Sequence, residues 1–296
     1  MRVALYGHIF RYPLRAEEIG HRIGLAGVSD RQRQTCLDSL CAKGYLYRVG
    51  EFYSPENDPD LAERRTHGNQ LAESKLDLAH RIARLIHLFP YVRSVMVSGS
   101  LSKDYMDEKS DLDYFVITRA GRLWLVKAAM VFIKRVILLG SYKYFCVNYL
   151  IDEEHLELEE KNQFTATELL TVIPITNEAL YQRFWEANLW LKEVYPQAQP
   201  RQTARDREPR YVLKPLLEWL LGGRLGRWID QRSMRTFQRR ADRNYKANYA
   251  EKDYKVAFKS KKHVSKYHEK NFQRRVMDRY EELQRQFEDQ HGVALS

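Results

Sequence analysis

Apolar positions along the chain change their period several times, and each change predicts an element. Over residues 61–88, Leu71, Ala72, Leu76, Ala79, Ile82, Ala83 and Ile86 recur every three or four positions, which predicts one long helix closed by Pro90. Ahead of it the units are shorter. Val3, Leu5, Tyr6 and Phe10 predict a helix stopped near Pro13, and residues 15–23 predict a second. Residues 24–28 read as a turn, and Ser29 reads as the N-cap of a third helix that ends at Gly44. The aromatic and β-branched runs 45–49 and 52–53, on either side of Gly50-Glu51, predict a short hairpin.

Beyond residue 90 the period shortens. Val95, Met96 and Val97 predict a strand that runs into Gly99-Ser100. A polar segment follows, and Asp111-Leu112-Asp113 opens a second apolar strand from Tyr114 to Ile117. An apolar stretch over 121–139 carries Lys127, Lys134 and Arg135 and reads as a buried helix rather than a membrane span. Residues 143–152 predict a third strand, 162–176 a short helix closed by Pro174, and 177–195 an amphipathic helix. A Pro- and Arg-rich linker over 196–212 then leads to a wholly helical ending. Its parts are an apolar helix 212–221, a run 225–249 with Arg232, Arg235 and Arg239 on one face, and a last helix 263–287.

Composition changes the picture in one respect. Of the formal charge of +10, the excess lies in the last third, where residues from Arg201 onward hold 24 Lys and Arg against 13 Asp and Glu. That imbalance suits a polyanionic partner or a phosphate-rich cleft, and equally a solvated helical face. His263 and His268, among lysines, fit phosphate or plain surface in the same way. Cys36, Cys41 and Cys146 lack metal-ligand spacing, and the expectation is a reducing, cytoplasmic protein with no membrane partner. The oligomeric state is not legible.

The chemistry concentrates in residues 95–118. Alternation along a strand puts Asp111 and Asp113 on one face and Leu112 on the other. Two such carboxylates repel unless solvent or a cation neutralises them, and Mg²⁺, which takes a few carboxylates plus phosphate oxygens, suits that role. Gly99 lets the backbone approach a ligand, and Ser100 offers a hydroxyl and an N–H to phosphate.

Gly99-Ser100-Leu101-Ser102-Lys103-Asp104, followed by Ser110-Asp111-Leu112-Asp113, resembles the signature of the nucleotidyltransferase superfamily typified by DNA polymerase β. The nearest pattern is that of its minimal and antibiotic-modifying members, with Lys103 in place of an arginine and Asp104 in place of a second glycine. The resemblance covers about 60 residues. It implies an α/β fold built on a mixed sheet. It also implies that Asp111 and Asp113 hold Mg²⁺ or Mn²⁺, and that Gly99, Ser100, Lys103 and Ser110 hold a nucleoside triphosphate. The superfamily carries a last carboxylate, metal ligand and base, on the neighbouring strand. Here the middle of that strand holds Asn148, and Asp152 shares its face about 13 Å further along; by the resemblance Asn148 or Asp152 would complete the metal site with Asp111 and Asp113. An amide oxygen coordinates Mg²⁺ but takes no proton at neutral pH. Glu157, Glu159 and Glu160 are further substitutes or a surface run of acids. Thr165, Thr167 and Glu168 are a substrate rim or capping residues.

The three helices and hairpin at the N-terminus resemble a winged helix-turn-helix, in which Arg31, Gln32, Arg33 and Gln34 open the third helix with residue types that read base edges. The expected organisation is a winged-helix-like unit over 1–57, a nucleotidyltransferase core over 58–176 and a basic α-helical region over 177–296. The expected activity is transfer of a nucleoside monophosphate from a triphosphate to a hydroxyl on a small molecule, protein or nucleic acid. The alternative is a nucleotide-sensing or DNA-binding regulator with a degenerate site.

Overall fold

A computed structural model describes residues 1–23, 28–136, 144–202, 213–267 and 272–295. Residues 24–27 of the predicted turn, the end of the helix expected over 121–139, the start of the third strand, part of the linker and His268 lie outside those residues.

The N-terminal unit contains helices α1 (Arg2–His8), α2 (Ala16–Ile23) and α3 (Asp30–Ala42), then strands β1 (Tyr47–Val49) and β2 (Phe52–Ser54). Ser29 and Gln32 cap α3 reciprocally, each side chain accepting from the other's backbone N–H. Leu14 bridges to Tyr53, so the hairpin closes against the chain between α1 and α2. Helix α4 (Asp60–His87) leads to β3 (Val92–Ser98), a 3₁₀ turn at Leu101–Lys103, β4 (Asp113–Thr118), α5 (Leu123–Val136) and β5 (Cys146–Asp152). Then come α6 (Gln163–Thr171), β6 (Ile173–Pro174), α7 (Glu178–Ala187) and α8 (Leu191–Val194). The remainder comprises α9 (Leu213–Leu220), α10 (Arg224–Tyr245), α11 (Glu251–Ala257), β7 (Phe258–Lys261), β8 (Val264–Tyr267) and α12 (Phe272–His291).

The molecule is mixed α/β, with a six-stranded mixed sheet in the order β6-β3-β4-β5-β8-β7. Among the described strands only β4 and β5 run parallel, with α5 between them in the chain; the other pairs are antiparallel. Alternation divides the core in two. Val95, Val97, Tyr114 and Val116 face one way, toward α4 and α5. Met96, Phe115 and Ile117 face the other way, toward α6, α7 and α8. Asp113 begins β4 in step with Phe115, so the second face carries its carboxylate.

Two sequence expectations are corrected here. The C-terminal region is not wholly helical, because β7 and β8 extend the central sheet beyond β5, pairing Tyr149 with Lys266. The residues expected to start the last helix at 263 instead form the hairpin turn and β8, where Val264 and Ser265 are buried. The helix expected over 177–195 is also broken. Asn188 ends α7, donates to the Leu156 and Phe184 carbonyls at 2.8 Å and accepts from Leu158 N–H at 2.8 Å. Its side chain thus satisfies backbone groups that the helix would have left bare, and Leu189 is turned out to solvent.

The two chain ends meet. Leu5 and Tyr6 of α1, Phe164 of α6, and Val276, Tyr280, Leu283 and Phe287 of α12 form one apolar cluster. The N-terminal unit is also tied to α4 through Arg65, almost fully buried, which donates to Glu18 at 2.7 Å and lies over the Tyr12 ring at 3.8 Å.

Candidate active site

Between the sheet face that carries Asp113, the helix α6 and the ends of α1 and α12 lies a cavity of about 590 Å³. Gly99, Ser100, Lys103, Ser110, Asp111, Asp113 and Asn148 all line it. The structure therefore brings seven of the eight residues singled out in the sequence to one place. Asp111 lies just ahead of β4 rather than on it, yet it reaches the cavity with Asp113, while Leu112 between them is buried.

The turn after β3 is shaped for close approach. Gly99 has φ +69°, and a Cβ there would lie 2.2 Å from Asp113 Oδ2. No other residue fits that position without displacing the carboxylate. Ser100 accepts from Lys103 N–H through its carbonyl at 2.9 Å, which closes the 3₁₀ turn. Asp104 takes a left-handed backbone at φ +55°. Aspartate tolerates that region better than most residues. Ser110 is held by a reciprocal pair of bonds with Asp107, each 2.9 Å.

Asp113 keeps part of its surface in the cavity but is densely surrounded by protein. Burial, then the charges of Glu168 and Asp111, push its carboxyl up to about 7, against the pull of Lys103. Asn148 donates from Nδ2 to Asp113 Oδ1 at 2.6 Å, and the Cys146 thiol donates to Asn148 Oδ1 at 3.0 Å. Cys146 itself is pushed up to about 12, chiefly by burial, so it remains a thiol. Asn148 thus faces Asp113 from the neighbouring strand as an amide, a donor to the carboxylate rather than a second anion.

Asp152 is not placed with the pair. In the parallel β4–β5 register Asp113 stands beside Cys146 and Asp152 beside Thr118, at the opposite ends of the two strands. Asp152 is buried there, accepting from the backbone N–H groups of Glu154 and His155 and meeting the His155 ring at 2.7 Å. Its expected role as a metal ligand beside Asp111 and Asp113 is excluded by that distance along the strand.

Of the candidate substitutes for the missing carboxylate, Glu160 also lines the cavity but pairs with Lys259 at 2.5 Å, whereas the carboxylate paired beside the Gly99 turn comes from α6. Glu168 lines the cavity and pairs with Lys103 Nζ at 2.8 Å. Lys103 Nζ also donates to the Gly99 carbonyl at 2.9 Å, which anchors it over the glycine turn. Asn162 caps α6 by accepting from Thr165 N–H, and the same turn of helix presents Thr165, Thr167 and Glu168 to the cavity. Glu159 serves elsewhere, holding Lys259 and Lys261 at 2.7 and 2.6 Å.

Of the other lining residues, Lys266 belongs to the basic run that reads as phosphate contact or plain surface, whereas Tyr12 carried no signal in the sequence. Tyr12, from the N-terminal unit, donates to the Lys103 carbonyl at 2.7 Å and meets Tyr105 edge-on. Lys266 arrives on β8, donates to Gln273 Oε1 at 2.6 Å and lies 5.6 Å over the Tyr149 ring. Burial lowers its ammonium group below the usual lysine range. Tyr149 stacks on Phe115 with ring centres 4.9 Å apart, which makes the floor of the cavity aromatic.

The residues present fit a divalent cation. Asp111, Asp113 and Glu168 gather negative charge in a partly desolvated place, and Lys103 alone opposes it among the charges acting on Asp113. Among the described residues no group of three or more His, Cys, Asp or Glu side chains is arranged as a complete metal cage. Magnesium sites completed by substrate phosphates use only one or two carboxylates.

Scans against family models, curated proteins and solved structures return no match to this chain. The class of protein therefore rests on the fold and on the site.

Proposed function

We propose that the chain is a Mg²⁺- or Mn²⁺-dependent nucleotidyltransferase with a polymerase-β-like core. In this reading it moves a nucleoside monophosphate from a triphosphate to a hydroxyl acceptor. The observation that carries the reading is the meeting of Asp111, Asp113 and the Gly99-Ser100 turn in one cavity, with the Asp113 carboxyl raised first by burial and then by the charges of Glu168 and Asp111. Asp111 and Asp113 hold the metal, which supplies Lewis-acid neutralisation of phosphate oxygens. The backbone N–H groups of the Gly99-Ser100 turn and the Ser100 hydroxyl seat the phosphates, and Ser110 flanks them. Lys103 is drawn from Glu168 toward the triphosphate, because phosphate oxygens offer it more negative charge than one carboxylate does. That exchange frees Glu168.

Glu168 takes the place of the base that Asn148 cannot provide. As the acceptor oxygen bonds to the α-phosphorus and the bridge to the β-phosphate breaks, the hydroxyl proton passes to Glu168 and pyrophosphate leaves. Asn148 orients Asp113. The experiment is incubation with each triphosphate labelled at the α-phosphate, Mg²⁺ or Mn²⁺, and a cell lysate as the source of acceptor. A labelled product formed by the native protein, and lost with Asp111→Ala and Asp113→Ala, supports the reading. Absence of both product and nucleotide binding overturns it.

A second reading has one specific observation behind it: the amide of Asn148, rather than a carboxylate, faces Asp113. A site that binds nucleotide without turnover would make the protein a nucleotide-sensing regulator. The N-terminal helices and hairpin, ordered as in a winged helix, would then bind DNA through α3. Retention of duplex DNA in an electrophoretic shift, weakening steeply with salt, favours that reading.

A further inference from the structure

Helix α9 is amphipathic the wrong way round. Its charged residues face the protein, and its leucines face water. Lys214 Nζ donates to the carbonyls of His87 and Val92 at 2.7 and 2.8 Å. Glu218 accepts both guanidinium arms of Arg93, at 2.8 and 2.9 Å, and the Tyr91 N–H at 2.7 Å. These bonds fix the helix in rotation. Leu213, Leu216, Leu217 and Leu220, spaced by three and four, are consequently turned outward, Leu213 at 71% exposure and Leu220 at 61%. Trp219 beside them is 79% exposed. The start of α10 continues the patch with Leu225 and with Trp228 at 60%. That helix is held too, because buried Asp230 accepts from the Leu125 N–H at 2.9 Å.

The charge around the patch selects its occupant. Arg224, Arg227, Arg232 and Arg235 are all exposed. The two acids between residues 213 and 235, Glu218 and Asp230, are the ones turned inward. A two-fold contact with a second copy would set this patch against itself and bring arginines together with no acid to pair them. A surface that offers apolar depth and negative headgroups satisfies both halves of the patch. Leucines and tryptophans enter the acyl boundary, while arginines stay at the phosphates. We infer that the α9–α10 face seats the protein on an anionic lipid bilayer, as a peripheral contact. Among the described residues no helix is long and apolar enough to cross a membrane. The expectation of no membrane partner is therefore narrowed to no span.

The test is co-sedimentation of the full chain with vesicles of phosphatidylcholine alone or mixed with phosphatidylglycerol. Binding to the mixed vesicles is expected, with loss at high salt and at least tenfold weaker binding to the neutral ones. Arg224→Gln and Arg227→Gln should each weaken it about fivefold. The triple variant Leu216→Ser, Trp219→Ser, Leu220→Ser should abolish binding while its thermal midpoint stays close to the native value, since all three residues are more than half exposed. No binding to mixed vesicles overturns the inference. So does binding that survives the triple variant, or a dimer by light scattering that the triple variant dissolves, which would assign the face to self-association.

Discussion

At the scale of residues the site depends on a few positions with no substitute. Gly99→Ala places a methyl group against the Asp113 carboxylate at a positive φ. It should cost roughly 1–3 kcal/mol in stability and weaken nucleotide binding, read by urea melts and titration. Glu168→Gln separates its proposed role from binding: turnover should fall by about 10²–10⁴-fold while nucleotide affinity changes little. An equal loss in both would make Glu168 only a partner of Lys103. Asp113 sets a pH dependence whose sign is opposite to that of a salt-bridged aspartate. Its carboxyl, raised to about 7, holds a proton more tightly folded than unfolded. Between about pH 4 and 7 the folded chain carries the extra proton, so this residue's contribution to stability declines as pH rises through that window and is level above it. Asp113→Asn should therefore stabilise the free protein, more at pH 8 than at pH 5, in denaturant melts at both values. The Gly-Ser and Asp-x-Asp residues were legible because they lie close in sequence and their types match their chemistry. Glu168 was visible only as one of two readings. Asp152 misled because strict alternation would put it on the face of Asn148, whereas a β-bulge at Asn148 turns that side chain to the cavity beside Tyr149 and leaves Asp152 at the other end of the strand, beside Thr118.

At the scale of elements, period and punctuation identified most helices and the three strands around the site, since Pro90, Gly44 and the Ser29 cap act locally. The breaks that sequence missed have tertiary causes. Asn188 interrupts an otherwise helical pattern because its amide serves backbone groups of the 156–158 segment, thirty residues away. Asn188→Ala should orphan those groups and cost roughly 1–3 kcal/mol, measured by urea unfolding. Strands β7 and β8 lie in a Lys-rich run that reads as surface. Lys259 and Lys261 are accommodated by Glu159 and Glu160, contributed by the segment that follows β5, a pairing that no local window contains.

At the scale of the whole molecule, the three stretches expected as separate domains share one structure. The C-terminal hairpin completes the central sheet, α12 packs on α1, and Tyr12 of the N-terminal unit reaches the turn after β3. Arg65 joins the N-terminal unit to α4 from a buried position, and removing its partner would leave a charge without compensation. Glu18→Ala should cost about 3–5 kcal/mol and lower nucleotide affinity through Tyr12. If the two regions are one cooperative unit, calorimetry of the native chain shows a single transition. None of this closure is readable from sequence, because contacts between residues 6 and 280 leave no periodic trace. The central claim is that Asp111 and Asp113 bind a metal-bound triphosphate. Its most direct measurement is titration calorimetry of the native chain and the Asp111→Asn, Asp113→Asn double variant with each magnesium nucleoside triphosphate. The account predicts saturable binding of at least one triphosphate, Mg²⁺-dependent and weakened at least tenfold in the double variant. Equal affinity in the two proteins, or no binding of any triphosphate, would contradict it.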